Sequence, residues 1–330
     1  IKNSKSIHGL KRNNFVEEGI LRNNIIDKKG KKNDSVLLSF CRNYDLQKYL
    51  NDKKKINILN KNHLKNYSLR SIIKFPPEIS ETDLKLFFYN LDLKFVVKES
   101  FGYKQSVNEL ILEKPYIPVL KDLYRLYKFI ELNKRINILE FGSGWSSLMF
   151  CISLNLNKNK FSKDINHLRK NNPFEILILD NQKKFLNISK RRVNQYIKNS
   201  QKNVKINWHF SKASITKFND RYATKFDDMP LFNPDFIYLD GPDQFKIFSK
   251  EHNFNTNHPD FMPMSCDILQ IEQFLVPGTI IVVDGRAANA LFLKNNFQRN
   301  WLYEFDEPYD QHIFYLNDHS LGQYNSSQLE

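Results

Sequence analysis

The apolar positions of this chain change period along its length. Between 116 and 132, Tyr116, Val119, Leu120, Leu123, Tyr127 and Ile130 recur every three or four residues, which predicts an amphipathic helix. From 136 onward, short and nearly continuous apolar runs alternate with helical patterns. Runs at 136–141, 175–180, 204–210, 235–240 and 279–284 predict strands. Segments 145–156, 183–199, 265–275 and 287–297 predict helices between them. Two last runs, 301–306 and 312–316, flank the Glu307-Pro308 turn and predict a hairpin-like pair. Strands that are apolar throughout, with helices between them, predict a mostly parallel sheet covered on both faces.

Ahead of this alternation the pattern weakens. Residues 1–34 are polar and weakly periodic and predict a flexible arm, whereas 35–49 has apolar positions at helical spacing. The Pro76-Pro77 pair marks a boundary, and Ser80 with Asp83 can start a helix running to about Asn90. The expected organisation is a basic extension over 1–75, partly flexible, and an α/β domain over 76–330 with a helical lead-in at 76–135. The fold class expected is α/β: a Rossmann-like, doubly wound, seven-stranded and mostly parallel sheet with an antiparallel C-terminal strand pair.

Charge alters this picture little. The formal net charge is +14, but residues 1–65 hold 16 Lys or Arg against 6 Asp or Glu, and the other 265 residues hold 34 against 30. The α/β part is nearly balanced, so a dedicated nucleic-acid surface is not expected there. Aromatic-stacking motifs of an RNA binder are also absent from the sequence. Three scattered cysteines without a Cys-x-x-Cys pair suggest neither a disulfide framework nor a structural zinc site. No apolar run approaches the ~20 residues of a membrane span, and no secretory signal pattern is visible. A cytoplasmic setting is expected.

The most informative run is 136–147. A mostly apolar strand reaches an acid, Glu140. Gly142, Ser143 and Gly144 follow, then Trp145 and the serines Ser146 and Ser147, and then the apolar stretch 148–154. A glycine turn between strand and helix lets bare backbone approach a ligand. Acids recur at later strand ends, at Asp180, Asp240 and Asp284. In such a sheet, ligands bind beyond the carboxyl ends of the strands.

With its acid-x-Gly-x-Gly turn and this series of strand-ending acids, the stretch from about 116 to 316 resembles the class I S-adenosyl-L-methionine-dependent methyltransferases. The resemblance implies S-adenosyl-L-methionine as cofactor. It implies Glu140 near the methionine end, and Gly142, Ser143 and Gly144 as the turn beneath the cofactor. Ser146 stands at the third glycine position. Asp180 is implied to accept from both ribose hydroxyls, Asn181 to lie beside the adenine, Ser211 or Ala213 to border its edge, and Asp240 to line the pocket near the methyl group. Two departures stand out: Ser211-Lys212-Ala213 replaces the acid many members carry after the third strand, and 36 residues separate Gly144 from Asp180.

On the acceptor side, Asp240, Asp243 and Arg286 are the candidate catalytic residues. Asp243 is a candidate base, and Arg286 offers a planar fork for a carboxylate or phosphate. Asp240 and Asp284 roughly match two ligands of metal-dependent relatives, but Gly285 stands where an asparagine is usual, and no metal is expected. The connection 243–265, with His252 and His258, could cover the acceptor. A small-molecule or sugar-containing acceptor is expected. Two other readings stay open: an NAD(P)-dependent oxidoreductase or epimerase, since Gly142-x-Gly144-x-x-Ser147 is one residue type from that fingerprint, and a non-catalytic binding protein of this fold.

Overall fold

The computed structural model describes residues 15–26, 32–40, 68–102, 115–200, 204–243, 247–249, 256 and 264–329. The chain divides into two compact units, Ile1–Ser68 and Leu69–Glu330.

In the first unit, β1 (Phe15–Ile26) and β2 (Lys32–Phe40) form an antiparallel ladder with Phe15 opposite Phe40 and Ile26 opposite Lys32. Over the described residues this corrects two expectations, a flexible arm at 15–26 and helical structure at 35–40. The backbone of the run Val36-Leu37-Leu38-Ser39-Phe40 pairs with Phe15 to Ile20 of the preceding strand, and the spacing of apolar residues within the run alone does not register that pairing. Residues 41–67 lie outside the described set.

The second unit begins at Leu69, before the Pro76-Pro77 pair, because Leu69 and Ile73 are already buried in its core. Ser80 caps α1 (Glu81–Asn90): its hydroxyl accepts from the Asp83 amide at 3.1 Å and donates to the Asp83 carboxylate at 2.6 Å. A short α2 (Lys94–Glu99) follows, and α3 (Leu120–Leu132) begins four residues later than expected, with Tyr116 to Val119 outside the helix.

The alternation then proceeds as β3 (Asn137–Phe141), α4 (Trp145–Phe161), β4 (Glu175–Asp180), α5 (Lys183–Ser200) and β5 (Lys205–Phe210). Helix α4 continues beyond 156 and takes up part of the polar stretch. A small three-stranded sheet, unforeseen from the sequence, comprises β6 (Ala213–Phe218), β7 (Arg221–Phe226) and β9 (Ile247–Phe248). The main sheet resumes with β8 (Phe236–Leu239). There follow α6 (Asp267–Ile271), β10 (Ile280–Asp284), α7 (Ala287–Asn296), β11 (Trp301–Asp306), β12 (Gln311–Leu316) and α8 (Gln323–Leu329).

The main sheet has seven strands in the order β11-β12-β10-β8-β3-β4-β5. The pairs β10–β8, β8–β3, β3–β4 and β4–β5 are parallel, and β12 is antiparallel to both of its neighbours. The reversal therefore belongs to β12 alone; β11 runs with the rest.

Two cores follow from the period of two along buried strands. Ile138, Ile176, Ile178, Phe236, Ile280 and Val282 face one way, against α1 to α5. Leu139, Leu177, Leu179, Ile237, Ile281 and Val283 face the other, against α6, α7 and the small sheet. Arg125 of α3 is buried and ties the lead-in to the closing strands. It donates to Gln311 Oε1 at 2.9 Å and to the Asp306 carboxylate, and it stacks 3.7 Å above the Tyr309 ring. Arg70 reaches the same strands through Glu304 and Asp306. No helix among the described residues is long and apolar enough to cross a membrane.

Candidate active site

The carboxyl ends of β4, β3, β8 and β10 lie side by side in the sheet and carry Asp180, Gly142, Asp240 and Asp284 in that order. Gly142 has φ +92°, and a side chain there would meet the Asp240 carbonyl at 2.9 Å. Gly241 answers from the other side, where an added Cβ would lie 2.5 Å from the Gly142 amide nitrogen. The two strand exits thus touch backbone to backbone and leave a floor without side chains.

Glu140 lies beneath this floor. Its side chain shares the sheet face of Ile138 and meets the start of α4, where the Ser146 hydroxyl donates to Oε1 at 2.5 Å and the Ser147 hydroxyl to Oε2 at 2.8 Å. Burial pushes its carboxyl up to about 8; the two serine bonds oppose the shift, and Asp240 and Asp180 add to it. Glu140 is fully buried, so it is sealed under the turn. The serine at the third glycine position therefore has a definite task, as a donor to Glu140. Ser147, which the pattern did not single out as a site residue, shares that task.

Asp180 is nearly buried. The Ser143 hydroxyl donates to Oδ2 and the Gln182 amide to Oδ1 at 2.6 Å. Burial raises its carboxyl to about 7 against these bonds. Asn181 faces the loop after β8: its Nδ2 donates to the Asp243 carbonyl at 3.1 Å, and its Oδ1 accepts from the Asp243 amide at 2.9 Å. The Gln182 side-chain amide donates to the Asp243 carboxylate. Asp243 is thus held by the β4 loop, an arrangement that sequence spacing could not show because the partners are 62 residues apart or close to it. Ser211 turns toward protein and accepts from the Asp228 amide at 2.9 Å, while Ala213 is buried at the start of β6.

Asp240 has the open carboxylate of the row, with 56% of its side chain exposed. Desolvation by the surrounding protein pushes it up to about 6, and the Arg286 guanidinium pulls the other way. Arg286 Nε lies 3.6 Å from Asp240 Oδ1, and Nη2 donates to the Pro242 carbonyl at 2.9 Å. Asp284 accepts from the Tyr238 hydroxyl at 3.0 Å; burial, followed by Asp122 and Asp240, pushes it up to about 8. Among the described residues no group of His, Cys, Asp or Glu is arranged to hold a metal ion. His252 and His258 lie outside the described residues.

The helical pattern concealed one further residue of the rim. Tyr116 precedes α3, is 68% exposed, and has its carbonyl fixed by the Trp145 indole N–H at 3.0 Å. Asp240, Arg286 and Asp243 are all near enough to act on its phenol electrostatically. Trp145 in turn lies under the Arg192 guanidinium at 3.4 Å.

A doubly wound α/β sheet with one reversed strand, with a glycine floor and flanking carboxylates at its carboxyl edge, is a Rossmann-like fold. No protein-family model matches the chain, and no curated protein matches it. Solved structures similar to it include the O-methyltransferase TomG from Streptomyces achromogenes in complex with SAM. It is 11% identical, the match covers 73% of this chain and 100% of that one, and the TM-score is 0.35. An O-methyltransferase from Bacillus cereus in complex with SAH is 14% identical, with 69% and 97% covered and a TM-score of 0.31.

Proposed function

We propose that this chain is a methyltransferase that uses S-adenosyl-L-methionine and a small-molecule or sugar-containing acceptor. The observation that carries the reading is the Gly142–Gly241 floor, set between the carboxylates of Asp180 and Asp240. A side chain at either glycine would meet the backbone of the other exit, so only glycines let the two exits pack this closely at the carboxyl edge, where ligands of such sheets bind. When bound, the donor would supply an electrophilic sulfonium methyl group, whose bond to sulfur breaks, with the thioether leaving, as the acceptor attacks in line.

The residues divide the remaining work. Asp180 exchanges its Ser143 partner for ribose hydroxyls, a bidentate task for a carboxylate. The turn 142–144 lies beneath the donor. Glu140 acts from below, as a buried acid whose ionisation a cationic donor favours. Asp240, with its open carboxylate near the working pH range, takes the acceptor proton. Asp243, tied to Asn181 and Gln182, holds the loop carrying Asp240 in place rather than serving as the base. Arg286 supports the same loop at Pro242.

Calorimetry with S-adenosylmethionine, S-adenosylhomocysteine and NAD tests this reading. Saturable binding of the first two is expected, and Asp180→Ala should weaken it by at least about tenfold, on the order of 1.4 kcal/mol. Binding of NAD alone would replace the methyltransferase reading with the dinucleotide one.

A further inference from the structure

Among the described rim residues, Arg286 is buried and leaves part of its hydrogen-bonding capacity unused. The residue is 8% exposed, and its planar fork carries five N–H donors. Nη2 is spent on the Pro242 carbonyl. Nε faces Asp240 Oδ1 at 3.6 Å, which is longer than a hydrogen bond. Nη1 is buried and has no hydrogen-bond partner among the described residues. A buried guanidinium with an orphaned nitrogen is costly, because desolvation of the charge is repaid only when its donors are met.

The position of this fork is also informative. It follows β10, beside Asp240, and is therefore on the acceptor side of the floor, across Gly142 from Asp180. A planar fork with a free nitrogen matches an oxyanion that presents two oxygens, for which arginine is better suited than lysine. The neighbouring acids weigh against an anion. However, Asp240 is already paired with this same guanidinium, and Tyr238 donates to Asp284.

Resting on the methyltransferase reading, we propose that the acceptor is an anionic small molecule, a carboxylate or a phosphate ester, and that Arg286 is the residue that selects it. The anionic group meets Nη1, while Nε stays with Asp240 and keeps that carboxylate's charge compensated. The binding step transfers no proton and breaks no covalent bond.

The test is calorimetry on the full chain saturated with S-adenosylhomocysteine, titrated separately with inorganic phosphate and with benzoate. Saturable one-to-one binding of at least one anion is expected, and Arg286→Gln should weaken it about tenfold or more. Preference for phosphate identifies a phosphorylated acceptor; preference for benzoate identifies a carboxylate. Should Arg286→Gln fail to fold, Arg286→Lys takes its place; it keeps the charge but not the fork, and is expected to weaken binding at least about threefold. No saturable anion binding, or equal binding by wild type and variant, overturns the proposal. So does a loss of S-adenosylhomocysteine affinity in Arg286→Gln as large as that in Asp180→Ala, because the fork would then be reading the donor's own carboxylate. Absence of S-adenosylhomocysteine binding with anion binding intact instead counts against the methyltransferase reading alone.

Discussion

Two carboxyls at the floor hold their protons unusually tightly, and this has consequences at the scale of single residues. Asp180 is pushed up to about 7 and Glu140 to about 8, chiefly by burial. A cationic donor that also offers hydroxyls to Asp180 favours the ionised form. Donor affinity should therefore rise as pH increases from 6 toward 8 and level off above, with proton release on binding below the plateau. Calorimetry in buffers of different ionisation heat reads that release; affinity that is flat over this range would remove Asp180 from the binding step. Folding stability should move the other way. A carboxyl whose pKa is raised on folding binds more protons in the folded state, so its contribution is present below the unfolded value and is lost as pH climbs through the folded one. Thermal melts should show that decline between about pH 4.5 and 8, with a shallower slope in Glu140→Gln.

Between elements, the decisive contacts are those of strand exits. Gly142→Ala must place a side chain in the left-handed region and 2.9 Å from a carbonyl, and Gly241→Ala must place one 2.5 Å from an amide nitrogen. Backbone on both sides leaves little room to yield, and each replacement should cost roughly 1–3 kcal/mol or more. Circular dichroism melts will show this, and a neutral Gly241→Ala would mean that the two loops are free to part. These exits were partly legible in the sequence. The strand periods, the Gly-x-Gly turn and the strand-ending acids all rest on local spacing, and the strands and the turn fall where that spacing puts them. The small sheet of β6, β7 and β9 did not show, because its strands are exposed in part and lack a clean alternation. The ties from Asn181 and Gln182 to Asp243 were equally invisible, since they depend on which loops the topology brings together. Tyr116 stands at helical spacing in the sequence, yet it lies ahead of α3, where its carbonyl accepts from the Trp145 indole.

At the scale of the whole molecule, residues 69–330 form a unit with both cores and the complete carboxyl edge. Produced alone, this segment should unfold cooperatively and bind S-adenosylhomocysteine within about threefold of the full chain. A segment that aggregates or does not bind would assign part of the site or core to residues 1–68. The sequence placed the boundary near Pro76-Pro77, where backbone chemistry changes. The structure places it where burial begins, at Leu69 and Ile73, and their burial depends on core partners far along the chain that no local window contains.

The buried Arg125 bears on how this chain comes off the ribosome. Its partners Asp306 and Gln311 are 181 and 186 residues further along. Until those have been synthesised, the first long helix of the unit carries a charge that cannot be buried without a partner, at a cost of several kcal/mol. The lead-in should therefore stay accessible to protease on arrested nascent chains that end before Trp301, and become protected only once β12 has emerged. With a neutral residue at 125, that order of events should no longer be enforced.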